Sequence, residues 1–293
     1  LSVINWSVAT VVRDSPEAVR RFVSWYLGLG AREIFLVFEN PYDLVIGEIA
    51  RQPRVHILRG TPAFWQHVGV QAKDNATTRQ DHALRYAYSI CQTPWLFLCS
   101  LDELLMLRDQ RFAQLLVAQP DEVRAVLVQT AERVFGLKDE TEPCFRLPMP
   151  PAEVVKSFGG DLGGILIHSG GRATRSVGRP AIRTGIPGLK LREAMPFARN
   201  GRAIAVREIG WQAGAVVMNH HADRYEDWLA RLPTRLAEGV YITPLQSRLS
   251  QAMNGDDTAL RQLWRDLYQV NAKQRAALAK RGYLLTPAEK TLG

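Results

Sequence analysis

From residue 3 to residue 107 the chain alternates short apolar runs with amphipathic segments, and this alternation limits the possible folds more than any other feature. The apolar runs are VINWSVATVV (3–12), REIFLVF, RVHILRG and WLFLC. The last, Trp95–Cys99, has no polar alternation and reads as a strand covered on both faces, as in the interior of a parallel sheet. Between the first two runs lies DSPEAVRRFVSWYLGLG. Ser15 at the cap, Pro16 at the first position and Glu17 in the positive first turn start a helix there. Val19, Phe22, Val23, Tyr26 and Leu27 give that helix one apolar face, and Gly28 and Gly30 end it. DLVIGEIARQ predicts a short helix and TTRQDHALRYAYSICQ a longer one. Strand and helix in turn predict an α/β fold: a mostly parallel, Rossmann-like sheet flanked by helices.

Beyond residue 107 the signals thin out. RAVLVQTAERVFG (124–136) predicts one further strand. SFGGDLGGILIHSGGRATRS reads as turns around a short strand, because its glycines lack the strand-then-helix setting of a phosphate-binding loop. A strand ending at Asn219–His220 precedes a helix, and Leu260, Leu263, Leu267, Val270 and Leu278 mark a C-terminal helical extension. We therefore expect a main domain over 1–218 and the extension over 219–293.

Composition narrows the function classes. No apolar run approaches the ~20 residues that span a bilayer. The cysteines Cys91, Cys99 and Cys144 are odd in number and share no CxxC spacing, which points to a reducing compartment and away from a metal knuckle. With no basic stretch before an apolar core at the start, the expectation is a cytoplasmic or membrane-peripheral location. The net charge is +8, from 37 Lys and Arg against 29 Asp and Glu. Arginine supplies most of it and suits phosphate and carboxylate partners. The basic residues are dispersed, without a long run or an interleaved aromatic ladder, so nucleic acid is not the expected partner.

Polar residues collect where the expected strands end. Open α/β sheets bind ligands just outside the carboxyl ends of their strands. The first strand delivers Arg13 and Asp14 there, the second Glu39, Asn40 and Asp43, the fourth Ser100, Asp102 and Glu103, and a late strand Asn219, His220 and His221. A carboxylate at the second strand can accept hydrogen bonds from a ribose or a base. An aspartate at the fourth can hold a hard divalent cation that in turn holds a diphosphate, and a neutral imidazole can complete the coordination. Simpler readings stand beside these. Asp102 could cap a helix with Glu103 in its first turn, and NPYD could be a plain turn.

Three blocks carry a family resemblance. VVRDSPEAVRRFVSWYLGLGAREIFLVFENPYD resembles the opening of family-2-like glycosyltransferases, RQDHALRYAYSICQTPWLFLCSLDELLML is similar to their D-x-D-E-F-L block, and NHHADRYEDWL resembles their later N-H-Y block. The resemblance implies a GT-A fold, a nucleotide-sugar donor with UDP favoured, a Mn²⁺ or Mg²⁺ ion, and a glycan or lipid-linked acceptor in surface-polysaccharide synthesis. It implies that Glu39 or Asp43 contacts the uridine, that Gln80 lies near the donor and that Asp102 is a metal ligand. It further implies that His220 reaches the metal or the diphosphate, and that Glu103 organises the acceptor side or the strand end. Strand-end placement adds Asp14, Asn40 and Ser100, with Glu103, to the expected donor contacts. A general base must lie near the acceptor hydroxyl. Glu193 and Asp161 are the leading candidates, with Glu132 a third. The chain departs from the family pattern at Ser100 (an aspartate in D-x-D), at REAMPF (H-x-P), at His221 and at LPTRLAEG. These departures favour an altered donor, a weakened metal site or, as the alternative, a non-catalytic protein that binds nucleotide or glycan. A basic nucleic-acid-binding protein is the more distant rival.

Overall fold

Local capping sets the first half of the chain. The computed structural model describes residues 5–109, 111–136, 143–174, 178–192, 194–197, 204–220, 224–255 and 257–287. Strand β1 (Ser7–Val12) leads to α1 (Pro16–Gly28), where the Ser15 hydroxyl accepts the Ala18 N–H at 3.3 Å and Gly30 leaves the helix at φ 86°. Then come β2 (Glu33–Phe38), α2 (Val45–Ile49), β3 (Val55–Arg59), α3 (Pro62–His67) and α4 (Ala76–Ile90). Helix α4 is capped by the Asn75 side chain, which accepts the Thr78 N–H at 2.8 Å. Next are β4 (Trp95–Leu98), β5 (Glu103–Leu107), α5 (Phe112–Val117) and β6 (Ala125–Val128). The chain continues through β7 (Thr130–Gly136), β8 (Cys144–Arg146), α6 (Pro151–Phe158) and α7 (Gly160–Leu166). It returns through β9 (Arg179–Arg183), β10 (Lys190–Arg192), β11 (Met195–Phe197), β12 (Val206–Ile209) and β13 (Ala215–Asn219). It closes with α8 (Tyr225–Ala237), α9 (Thr243–Met253), α10 (Asp257–Tyr268), β14 (Gln269–Val270), α11 (Ala272–Lys280) and β15 (Leu284–Leu285).

The chain divides into two compact units, residues 1–129 with 178–217, and residues 130–177 with 218–293. The chain passes between the units three times, at 129/130, 177/178 and 217/218, so residues 130–177 cluster with the C-terminal helices.

The first unit is built on a seven-stranded sheet in the order β12-β6-β9-β4-β1-β2-β3. Strands β3, β2, β1 and β4 are parallel neighbours, β6 and β12 run the same way, and only β9 is reversed. The α/β, mostly parallel expectation therefore holds, and the antiparallel β9 is an addition to it. From β1 the chain winds outward through β2 to β3, then crosses back to place β4 on the other side of β1. That reversal between β1 and β4 is the switch point at which doubly wound sheets open a crevice. Ala9, Phe35, Leu96, Leu98, Ala125 and Ile182 from the sheet pack with Leu84 and Ala87 of α4 in a continuous buried cluster.

The second unit carries β8 antiparallel to β7, β15 antiparallel to β8, and β14 parallel to β7. Its core gathers Tyr225, Trp228, Leu232, Leu245, Leu249, Trp264 and Leu267 from the C-terminal helices. Two expectations are corrected here. Residues 124–136 form two strands, β6 and β7, broken at Gln129. The centre of the glycine-rich stretch, Gly160–Leu166, is a helix, α7, where a short strand was expected: Gly163 lies so close to α6 that a Cβ would meet Val155 Cα at 3.2 Å. Glycine serves there as a close helix contact, which reads in sequence as a turn.

Candidate functional site

The carboxyl edge of the first unit's sheet is held together by backbone bonds across its central strands. The Glu39 N–H donates to Val12 O and the Cys99 N–H to Ala9 O, each at 3.4 Å, so the exits of β1, β2 and β4 lie side by side. Strand β9 runs the other way, with Val128 of β6 opposite Arg179 and Phe97 of β4 opposite Ala181. Its first residue, Arg179, therefore lies at the same edge.

Beyond β4 the chain makes a tight turn, Ser100–Glu103, closed by the Glu103 N–H donating to Ser100 O at 3.1 Å. Glu103 then folds back on the turn. Its Oε2 accepts the Ser100 N–H at 2.8 Å and the Arg179 Nε–H at 2.5 Å, and the side chain is fully buried. The residues after Asp102 continue as strand β5, so the helix-start reading of Asp102 and Glu103 is corrected. Asp102 is half-buried at the head of the turn.

Helix α1 clamps this turn from beneath. The Tyr26 hydroxyl donates to Glu103 O at 2.9 Å, accepts the Leu105 N–H at 3.2 Å and lies 3.3 Å from Cys99 Sγ; Trp25 Nε1 donates to Leu105 O at 2.9 Å. Burial, and then the charge of Glu103, push the Cys99 thiol well above its ordinary range, and burial does the same to Tyr26. Burial works against the Arg179 cation, but Glu103 and Asp102 outweigh it and leave its pKa above the usual arginine value.

A second charged group occupies the exits of β1 and β2. Glu39 binds Arg13 through Oε2 at 3.0 Å and Arg79 through Oε1 at 2.9 Å. Arg13 also reaches Ala76 O, and Arg79 reaches Ala72 O and Asp74 O. Asp14 is exposed and accepts the Ser15 N–H at 2.7 Å. Asn40 and Asp43 shape the next loop, their side chains accepting the Tyr42 and Val45 N–H groups at 3.1 and 3.0 Å. Gln80 is half-buried on α4, one position beyond Arg79.

Asp14, Glu39, Asn40, Asp43, Gln80, Ser100, Asp102 and Glu103 therefore all belong to the first unit, most of them at its carboxyl edge. The remaining candidates fall elsewhere. His220 belongs to the second unit, its ring edge-on to Phe145 with the ring centres 4.8 Å apart. Asp161 is exposed in the first turn of α7, in the same unit. Glu132 is buried, bonded to Arg146 at 2.9 Å and to the Ala173 and Thr174 N–H groups, and thus ties strands to a loop. Glu193 and His221 lie outside the described residues. Sequence reasoning missed Arg179, which lies 76 residues beyond Glu103, and Arg79, which sat beside a named candidate.

Among the described residues no group of three or more His, Cys, Asp or Glu side chains is placed to hold a metal ion. The donor set at the turn is one carboxylate, Asp102, with the Ser100 hydroxyl, since Glu103 is engaged by Arg179. One acid and one hydroxyl fall short of a protein-only metal site, so a cation there would need substrate phosphates and water to complete its shell. No helix among the described residues is long and apolar enough to cross a membrane.

No family model matches the chain, and no curated protein matches it. The mannosyltransferase PcManGT from Pyrobaculum calidifontis, solved with GDP-Man and Mn²⁺, superposes with TM-score 0.44 at 12% identity over 95% of this chain and 84% of its own. HddC from Yersinia pseudotuberculosis superposes with TM-score 0.31 at 9% identity, over 47% of this chain and 66% of its own. At these scores neither likeness bears on the chemistry of the site.

Proposed function

We propose that this chain is a glycosyltransferase that takes a sugar from a nucleotide donor, with the donor held by the first unit. One observation carries the reading: the first two of the blocks that resemble family-2-like glycosyltransferases fold into a unit whose strands β1, β2 and β4 have charged exits that meet where the strand order reverses. Glu39, with Arg13 and Arg79, offers a fixed polar wall for a ribose or base. The Ser100–Glu103 turn faces the diphosphate. Asp102 would hold a divalent cation together with the donor phosphates, and such a cation offsets charge on the leaving diphosphate. A UDP-sugar donor, a glycan or lipid-linked acceptor and a cytoplasmic, membrane-peripheral setting complete the proposal. The sequence resemblance supports the donor and acceptor, and the dispersed arginines suit an anionic surface. Glu193 remains a base candidate, and Asp161 and His220, which belong to the second unit, remain candidates on the sequence reading alone.

Ser100, where the family pattern has an acid, supports one second reading: a protein that binds nucleotide or glycan without transfer. Release of nucleoside diphosphate from a panel of nucleotide-sugars separates the two. Turnover lost in Asp102→Asn supports the transferase. Binding with no release by the native chain supports the second reading, and no binding at all refutes both.

A further inference from the structure

The geometry points to Arg179 as a donor-binding residue, a fixed guanidinium that takes the diphosphate of the nucleotide with or without a metal ion. The inference rests on the donor-site reading above and adds to it a residue that the motifs do not contain.

Three observations single out Arg179. The first is position. It opens the one antiparallel strand, next to β4, and so stands at the carboxyl edge beside the switch point where ligands of such sheets bind. The second is the use of its donors. Arg13 and Arg79 spend their N–H groups on Glu39 and on backbone carbonyls. Arg179 spends Nε on Glu103, and among the described residues neither of its Nη groups has a protein acceptor. The third is fixation. Glu103 is fully buried and is itself held by the Ser100 N–H, while Arg179 keeps 23% of its side-chain surface exposed. Glu103 thus fixes the inner edge of the guanidinium, and the outer edge stays available.

That arrangement suits a diphosphate. A planar guanidinium recognises phosphate oxygens through paired, charge-assisted bonds, and a lysine does this only as a point charge. Pre-fixing the fork lowers the ordering cost of binding. Glu103 acts here as a positioning residue, with no contact to the donor itself. A nucleoside monophosphate would leave the fork partly unused, so the readout is the affinity gained by the second phosphate.

The test is isothermal titration in EDTA with uridine and guanosine mono- and diphosphates. For the native chain the diphosphate should bind about tenfold or more tightly than the monophosphate of the same base. The double variant Arg179→Gln/Glu103→Gln removes both charges and leaves no buried carboxylate unpaired. In it the ratio should fall toward unity, because the diphosphate loses more affinity than the monophosphate does. Arg179→Lys, which keeps the charge for Glu103 and loses the fork, should fall between the two and serves if the double variant does not fold. A ratio unchanged in these variants, or one that arises only when Mn²⁺ is added, overturns the role of Arg179 and leaves the donor site standing. Failure of every nucleotide to bind the native chain, with Mn²⁺ or without, overturns the donor-site reading and this inference with it.

Discussion

Removing the Glu103 carboxylate should be among the most damaging single changes in the first unit. Its Oε2 accepts from Ser100 and Arg179, at 2.8 and 2.5 Å, with no side-chain surface exposed. In Glu103→Ala the largely buried guanidinium loses its counter-charge, the Ser100 N–H loses its acceptor, and a void opens under the turn. Breaking a buried ion pair from one side costs about 3–5 kcal/mol. At roughly 2–4 °C per kcal/mol for a unit of this size, Tm should fall by roughly 6–20 °C. Glu103→Gln keeps an acceptor for Ser100 and should cost less, about 1.5–3 kcal/mol. Removing both partners with apolar residues of similar volume, Glu103→Leu with Arg179→Met, should cost less than Glu103→Ala alone, because no charge is left stranded. Guanidinium denaturation followed by far-UV circular dichroism completes a double-mutant cycle. A Glu103→Ala variant within about 1 kcal/mol of the native chain, or a double variant worse than the single one, would refute the reasoning.

Other expectations rest on local geometry and burial. Ala194 carries φ 62° in the β10–β11 hairpin, with its N–H on Asp81 Oδ1 at 2.8 Å. Ala194→Gly relieves a left-handed alanine and should stabilise by about 0.5–1 kcal/mol, and a loss of stability would show that the conformation is not strained. Gly178, beside Arg179, has φ 97°, and a Cβ there would meet Val128 O at 2.7 Å. Gly178→Ala should therefore cost about 2–4 kcal/mol in thermal unfolding, and a neutral outcome would contradict the close approach. Burial and Glu103 hold the Cys99 thiol protonated in the folded chain well above its ordinary value. The unfolded chain loses that proton near pH ~8.5, so stability owed to this group is intact below that pH and declines above it by about 1.4 kcal/mol per unit. Cys99→Ala should flatten the decline measured between about pH 9 and 10, and an unchanged slope would assign it to other groups.

The parts of the fold legible in sequence were those fixed locally. Ser15, Pro16 and Gly30 bracket α1 through contacts within a few residues, and Trp95–Leu98 is wholly buried, as its unbroken apolar run implies. What sequence could not give was decided by distant partners. RPAIR carries no mark of direction, and β9 is antiparallel because of the strands on both sides of it. Gln129 sits inside an apolar alternation that runs on without pause, so the division of residues 124–136 into two strands left no local trace. The candidate site shows the same split. Asp102, Glu103, Glu39 and Asp14 were named from their place at strand ends, whereas Arg179 depended on which strand would lie beside β4. Ser100 looked in sequence like a missing acid; in the fold its N–H anchors Glu103.

The most direct test of the donor site is hydrogen exchange on the native chain with a saturating nucleoside diphosphate, read peptide by peptide. Slowed exchange should be confined to segments 12–14, 38–44, 99–104 and 178–180, the exits of β1, β2 and β4 and the start of β9. Protection confined to other segments, or none under saturation, would contradict a nucleotide site at this edge of the sheet.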